Sequence, residues 1–396
     1  MNAVGCETVE REGLGHKTLR LAIVSDAAPG RNGVGAYYQD LLEQLAPRVA
    51  ASALLCPQVD ARGRWRTGLA LPLPGDRTQK LCLPNPLSLG RELKRLQPQV
   101  VIAATPGPYG LVGVNWAHRH NVPVLAGFHT SFEQLSELYW QGRWHGRVIQ
   151  QAFERSHRYV FARSRSVLGN ADPMLSMARR MGAVNTCLIA TPIAAEFTAT
   201  APPSYDGAVR RVLFAGRLAA EKNLEAVLQA ARAHPDLMFS IAGDGPLRES
   251  MQRAAEALPN LQLLGWQSRS ALREQMDAHD VLLLPSHVES FGTIALEAMA
   301  RARVVMVSSG CGIVEWPALR SGLVVIPPCG SAAEALVSLK TASPEWRRAL
   351  ARKAREEAQA LNEGCLIHWL ALLQGTVDQA ADLPAVPQEI ARPVLD

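Results

Sequence analysis

Two stretches of alternating strand-like and helix-like sequence, parted by one proline-rich segment, constrain this chain more than any other feature. Before the break, short β-branched or apolar runs occupy 19–26, 52–56, 99–105, 122–128, 158–164 and 186–190. Helical patterns fill 35–45, 111–120, 131–139, 146–156 and 165–181 between them. After the break, strand-like runs at 209–216, 237–243, 261–265, 280–286, 303–309 and 322–327 alternate with helical patterns at 222–233, 246–257, 269–278 and 293–301. Such alternation makes parallel strands joined by crossover helices. The segment between, TATAPPSYDGA at 198–208, has two prolines, small residues and no apolar period, and reads as a linker. The expected fold is α/β: two doubly wound domains of similar size, at 1–197 and 209–362. Helical residues continue to about Ala380, as a charged helix from Pro344 to about Leu361 and a last helix from Cys365, and a mobile tail is expected at 381–396.

With 396 residues, 48% hydrophobic and 19% charged, each half can bury its own core, and disorder over most of the chain is excluded. No run reaches the roughly 18 uncharged apolar residues of a membrane span; the best stretch, Cys365 to Val377, is too short and contains His368. The opening MNAVGCETVEREGLGHK mixes charges and lacks an apolar stretch, so it does not read as a secretory signal. Seven scattered cysteines, odd in number and never spaced C-x-x-C, predict reduced thiols and a cytoplasmic location rather than disulfides or zinc. Charge is uneven. Residues 1–205 carry 22 Lys+Arg against 14 Asp+Glu, and residues 206–396 carry 19 against 22. A solvated surface accounts for the excess, and so does an anionic partner such as a membrane surface or an acidic acceptor.

In doubly wound sheets, ligands sit outside the carboxyl ends of the strands, so the loops there are where chemistry is sought. The first strand runs into Ala28-Pro29-Gly30-Arg31-Asn32-Gly33-Val34-Gly35 and a helix. Glycines at a helix start allow a backbone to approach phosphate, although a plain turn accounts for Gly33 as well. It is not the dinucleotide fingerprint: Tyr38 stands where the third glycine belongs, and no acidic residue ends the second strand. His129 directly follows the fourth strand of the first half, where it is either a structural histidine or a hydrogen-bonding or acid/base group.

The second half is richer. Its first strand ends in Gly216-Arg217-Leu218-Ala219-Ala220-Glu221-Lys222, two cations at a strand mouth. Arginine offers a planar fork to phosphate oxygens and lysine a mobile point charge, so Arg217 and Lys222 suit a diphosphate leaving group; a surface turn paired to Glu221 or Glu225 is the alternative. A buried strand then ends at Pro285, followed by Glu289-Ser290-Phe291-Gly292-Thr293 and a helix holding Glu297. Glu297 lies among Ile294, Ala295, Leu296, Ala298 and Met299 and needs a hydrogen-bonding partner, which ribose hydroxyls can supply; a helix cap plus a stray charge is the alternative. Glu289 suits the hydroxyls of a hexose.

These stretches (FAGRLAAEKNLEAVLQA, IAGDGPL, VLLLPSHVESFGTIALEAMA and SSGCGIVE) resemble retaining glycosyltransferase family 4. The resemblance implies the GT-B fold: two Rossmann-like domains facing across a cleft, the first for the acceptor and the second for the nucleotide sugar, with a last helix (about 363–380) crossing back to the first domain. It implies that Arg217 and Lys222 bind the donor diphosphate, Glu289 the donor sugar, Glu297 the ribose, Ser290 to Thr293 the donor loop, and that Gly33 and His129 line the phosphate and sugar sites. Three departures from the family pattern stand out: Asn32-Gly33 and Cys311-Gly312 where Gly-Gly is usual, and Arg301-Ala302-Arg303 where a glycine usually follows the helix. AATPGPYGLVG (103–113) and GFHTSFEQLSELYW (127–140) are similar to GDP-mannose-dependent α-mannosyltransferases and sulfoquinovosyl-type glycolipid transferases.

The expected function is retaining transfer of a hexose, mannose favoured, from a GDP- or UDP-type donor to an acceptor, lipids or glycolipids included. The alternatives are an epimerase of similar fold and a non-catalytic sugar-nucleotide-binding protein. No cofactor, no metal and no nucleic-acid partner is expected, and the chain lacks Asp-x-Asp. Peripheral attachment at the cytoplasmic face of the inner membrane is a further expectation, with Trp140 to Arg147 the candidate contact because aromatics and cations interleave there.

Overall fold

The computed structural model describes residues 16–29, 33–58, 69–73, 76–129 and 144–381. The first half contributes strands β1 (His16–Val24), β2 (Val49–Leu55), β3 (Ala70–Leu73), β4 (Asp76–Cys82), β5 (Val100–Ala103), β6 (Val124–Gly127), β7 (Ser166–Gly169) and β8 (Thr186–Leu188). Six of these form a parallel sheet in the order β2-β1-β5-β6-β7-β8, and β3 and β4 pair as a separate antiparallel hairpin. The second half contributes β9 (Arg211–Ala215), β10 (Met238–Ala242), β11 (Leu261–Gly265), β12 (Val281–Leu284), β13 (Val304–Ser308) and β14 (Leu323–Ile326). They form a second parallel sheet, β11-β10-β9-β12-β13-β14. Strand order reverses between β1 and β5 in one sheet and between β9 and β12 in the other, which opens a crevice at each reversal.

Both sheets are covered on both faces, so the central strands are apolar throughout rather than alternating. Along β1, Ala22 and Val24 point to one face, packed with Leu93, Val114 and Phe161. Leu21 and Ile23 point to the other, packed with Tyr38, Leu41 and Trp369. Trp369 belongs to a helix spanning Pro344–Ala381. The first half of that helix packs Ala351, Ala354 and Ala358 on the second unit, and its last half packs Cys365, Trp369, Leu370 and Leu373 on the first. The chain therefore does cross back, as one unbroken helix and not as the two expected. Gly364 faces open space and weakens the helix without breaking it, and Asn362 accepts a hydrogen bond from the Ile193 backbone N–H at 2.8 Å.

Two other expectations give way. The run at 158–164 is the last turn of a helix, Trp144–Phe161, and the turn that follows it, and the strand is the next segment, Ser166–Gly169. Phe153, His157 and Phe161 stand four residues apart, a helical spacing that the β-branched and aromatic content of the run disguises. The following helix accordingly begins only at Asp172. The hairpin β3–β4 was not expected at all. The helix expected at 131–139, Trp140 to Arg143, and the tail beyond Ala381 lie outside the described residues. Among the described residues no helix is long and apolar enough to cross a membrane.

The proline-rich segment between the units is strapped to the second by arginines. Arg301, 1% exposed, donates to the carbonyls of Phe197, Thr200 and Ala201 and forms a two-pronged pair with Asp277 at 2.8 and 2.7 Å. Arg303 reaches the Pro203 carbonyl at 2.8 Å, and Arg347 the Gly207 carbonyl at 2.5 Å. The departure at 301–303 thus supplies side chains that satisfy an otherwise unpaired backbone. Ala302 between them holds φ +53°, the left-handed conformation that glycine adopts most easily after a helix.

Trp369 anchors the crossing helix. Trp369→Ala is expected to destabilise the protein by about 3–5 kcal/mol, read by chemical denaturation. A loss below about 1 kcal/mol would show that the helix is held to the first unit by other contacts.

Candidate active site

The loops after β9 and β12 meet at the reversal point of the second sheet. After β9 a short turn of helix, Ala220–Lys222, ends at Asn223, whose side chain donates to the Pro285 carbonyl at 3.1 Å. In return, His287 N–H and Val288 N–H donate to the Glu221 carbonyl. This stitching brings Lys222 Nζ to 2.5 Å from Glu289 Oε2, with the two side chains 17% and 16% exposed. Burial disfavours the ammonium, but the Glu289 carboxylate, its hydrogen bond and Glu221 outweigh it, and the Lys222 pKa lies above the ordinary lysine value. Arg217 Nη1 stands 3.2 Å from Glu221 Oε1. Both cations expected to bind phosphate are therefore held by the protein's own carboxylates.

Glu289 is held from behind. Its carbonyl accepts from Gly312 N–H at 2.9 Å, and it forms a bridge with Cys311. A Cβ on Gly312 would lie 1.9 Å from the Ser290 carbonyl oxygen, so glycine is required there by close approach. Cys311, in place of the usual glycine, is buried and donates to the Phe291 carbonyl at 3.2 Å. Gly292 holds φ +94°, and a Cβ there would meet Cys311 Sγ at 2.8 Å. The helix Thr293–Ala300 follows directly. Phe291 is 2% exposed and packs edge-on against Trp316, so its side chain is withdrawn from the crevice.

Glu297 is 6% exposed on the same helix. Its Oε1 lies 3.6 Å from Arg269 Nη1. Arg269 Nη2 in turn reaches Asp40 Oδ2 of the first unit at 2.7 Å. Burial pushes the Glu297 carboxyl up to about 8, against the pull of Arg269. Burial likewise pushes Asp40 up to about 6, again opposed by Arg269. One guanidinium is thus shared between carboxylates of the two units.

On the first unit, Gly33 opens the helix Gly33–Leu45 and is exposed, with nothing among the described residues within 4 Å of a Cβ placed there. Its neighbour Gly35 is the sterically required glycine: a Cβ would lie 2.2 Å from the Ala28 carbonyl oxygen. His129 follows β6 and its Nε2 lies 2.8 Å from Tyr38 Oη. Burial pushes the His129 pKa down to about 4, so the ring is neutral at physiological pH. Lys222 and Glu289 meet directly, and Glu297 is tied to the first unit through Arg269. His129 stays on the first unit, bonded to Tyr38.

Sequence reasoning passed over Arg269, Asp40 and Tyr38. Asp40 carried a signal: a carboxylate among Tyr37, Tyr38 and Leu41 on the buried face of an amphipathic helix. Arg269 carried none, since it opens a helix that reads as solvated.

The model of glycosyltransferase family 4 matches residues 31–194, and that of glycosyl transferases group 1 matches 204–357. Together they take in most of the chain. The chain belongs to glycosyltransferase family 4. It is 29% identical over 231 residues to a GDP-mannose-dependent α-mannosyltransferase of Mycolicibacterium smegmatis, covering 56% of this chain and 58% of that protein. Identity is again 29% over 260 residues to a GDP-mannose-dependent α-(1-6)-phosphatidylinositol dimannoside mannosyltransferase of Mycobacterium tuberculosis, 61% and 65% of the two chains. To the α-D-kanosaminyltransferase of Streptomyces kanamyceticus it is 29% identical over 36% of this chain and 39% of that one. The match thus spans about two fifths to two thirds of these relatives' lengths. Sucrose-phosphate synthase of Thermosynechococcus elongatus superposes with TM-score 0.67 at 18% identity over 91% of this chain and 100% of its own. Anabaena HepE in complex with UDP-glucose superposes with TM-score 0.63 at 14% identity, over 91% and 99%. These likenesses establish the GT-B fold.

A carboxyl whose folded pKa exceeds its unfolded value keeps a proton that the unfolded chain has lost, so stability falls as pH rises from about 4.5 to about 8 and is level above. Asp40 acts in the same sense over the lower part of that range. Glu297→Gln removes one such proton, and its melting temperature is expected to fall less than that of the wild type between those pH values. Parallel curves would mean that Glu297 is ionised at neutral pH.

Proposed function

We propose that this protein is a retaining glycosyltransferase that moves a hexose, with mannose favoured, from a nucleotide-diphosphate donor to an acceptor. The observation that carries the reading is the meeting of Lys222 and Glu289, beside Arg217, where the strand order of the second sheet reverses. A crevice with cations for a diphosphate and a carboxylate for sugar hydroxyls suits a nucleotide sugar. The GDP-mannose-dependent relatives support mannose, and the complex of HepE with UDP-glucose shows that a member of this fold binds a nucleotide sugar.

In this reading the donor diphosphate takes Arg217 from Glu221 and Lys222 from Glu289. Glu289, released, accepts bonds from the hexose hydroxyls, and Glu297 accepts from the ribose. As the sugar–phosphate bond breaks, negative charge grows on the leaving phosphate, where the two cations stabilise it. The acceptor approaches from the first unit. Contact between the units orients it and excludes water, which would hydrolyse the donor. No carboxylate is assigned as nucleophile; the acceptor hydroxyl bonds to the anomeric carbon on the face the phosphate leaves and passes its proton to that phosphate, which accounts for retention, and the cations stand in for a metal.

A lipid acceptor at a membrane is part of the proposal. The basic excess of the first half supports it, and so does the helix Pro86–Leu96, where Leu87 is 77% exposed and Arg91, Lys94 and Arg95 outnumber Glu92, which is paired to Arg95. An apolar anchor within a cationic field suits an anionic surface.

Arg217→Ala is expected to lower turnover of the donor by about 10²-fold, and wild-type turnover is expected to persist in EDTA. Activity of the variant within about threefold of wild type would remove Arg217 from the transition state. The full chain should co-sediment with anionic vesicles at low salt, less so with Leu87→Asp, and not with neutral vesicles. Equal recovery with both lipid types would remove the electrostatic contact.

A further inference from the structure

The chemistry open to His129 depends on which ring nitrogen carries its proton, and Tyr38 decides that. Tyr38 comes from the helix Gly33–Leu45 and is fully buried, with its hydroxyl 2.8 Å from His129 Nε2. The contact is built into the backbone. A Cβ on Gly127 would lie 2.1 Å from Tyr38 Oη and 2.9 Å from His129 Nε2, so only glycine leaves room for the pair at the end of β6. The Tyr38 ring meets the imidazole edge-on, with centroids 5.3 Å apart, and the Tyr37 ring lies 4.8 Å away on a tilt. The imidazole is walled by two aromatic rings.

A hydrogen bond between these atoms is possible in two senses. Either the phenol donates to an unprotonated Nε2, or a protonated Nε2 donates to the phenol oxygen. Among the described residues the Tyr38 hydroxyl has no other hydrogen-bond partner. If Nε2 donated, the phenol proton would be buried with no acceptor among the described residues, which costs about 1–3 kcal/mol. Donation by the phenol avoids that cost and leaves Nε2 as the bare nitrogen.

We propose that Tyr38 is a positioning residue that holds His129 as the Nδ1–H tautomer, so that Nδ1–H is the single donor the ring presents to a substrate. Burial supports the assignment by keeping the imidazole neutral and holding the Tyr38 phenol protonated well above its ordinary value. His129 then acts as an oriented hydrogen-bond donor toward a hydroxyl or phosphate oxygen of the donor, and not as a general acid or base. The effect on catalysis rests on the reading of His129 as a sugar-site residue under the proposed function; the tautomer itself does not.

The test uses the full chain labelled at the histidine nitrogens and two-bond proton–nitrogen correlation spectra, with the His129 signals assigned by their loss in His129→Gln. The wild type is expected to show an unprotonated Nε2 and a protonated Nδ1. Tyr38→Phe keeps the ring in place and should retain the wild-type fold by melting. It is expected to populate the Nε2–H tautomer and to lower kcat by about tenfold, with the donor KM changed far less. A protonated Nε2 in the wild type, or an unchanged tautomer in Tyr38→Phe, overturns the proposal. His129→Ala tests the reading beneath it: turnover within about threefold of wild type would take His129 out of catalysis whatever its tautomer.

Discussion

Charges withdrawn from water must be paired, and that requirement organises the centre of this protein. Lys222 and Glu289 are both largely buried and lie against each other. Arg269 sits between Asp40 of the first unit and Glu297 of the second; burial keeps Glu297 protonated near neutral pH, so Asp40 is the carboxylate that meets the guanidinium charge there. Removing one member of such a pair leaves the other as an uncompensated buried charge, which is more costly than the pair is favourable. A ligand entering the crevice must therefore replace each partner that it displaces. A diphosphate with a sugar attached meets both demands at once, because it brings anions for the lysine and hydroxyls for the glutamate.

The sheets determine where these charges can meet. In each sheet the strand order reverses once, and only there do two neighbouring strands send their following loops to opposite faces. The loop after β9 carries Arg217 and Lys222, and the loop and helix after β12 carry Glu289 and Glu297. They are bonded to each other through the Glu221 carbonyl, which accepts from two backbone N–H groups, and through the Pro285 carbonyl, which accepts from the Asn223 side chain. Gly292 and Gly312 keep the second loop closed over Cys311. The helix Pro344–Ala381 then holds the two sheets together by burying alanines in one unit and Trp369 in the other.

Much of this was legible before any coordinates. The alternation of apolar strands and amphipathic helices specifies parallel sheets, because strands covered on both faces must be apolar throughout. Cations after one strand and spaced glutamates after another were visible as polar residues in apolar surroundings. The errors have the same physical root. At 158–164 composition suggested a strand where the four-residue spacing of Phe153, His157 and Phe161 decided for a helix. Two helices, ending about Leu361 and starting at Cys365, are expected where one runs unbroken, because packing on both sides carries the helix through Gly364.

What the sequence by itself determined is the class of fold, most of the alternation of its elements and the residue types that the loops carry, since these follow from local periodicity and composition. Tertiary structure alone decided the partners: Glu289 for Lys222, Asp40 and Glu297 for Arg269, Tyr38 for His129, and the linker carbonyls for Arg301. Each joins residues far apart in the chain. No local pattern encodes such a pairing, because the energy that selects it arises only when folding takes both groups out of water.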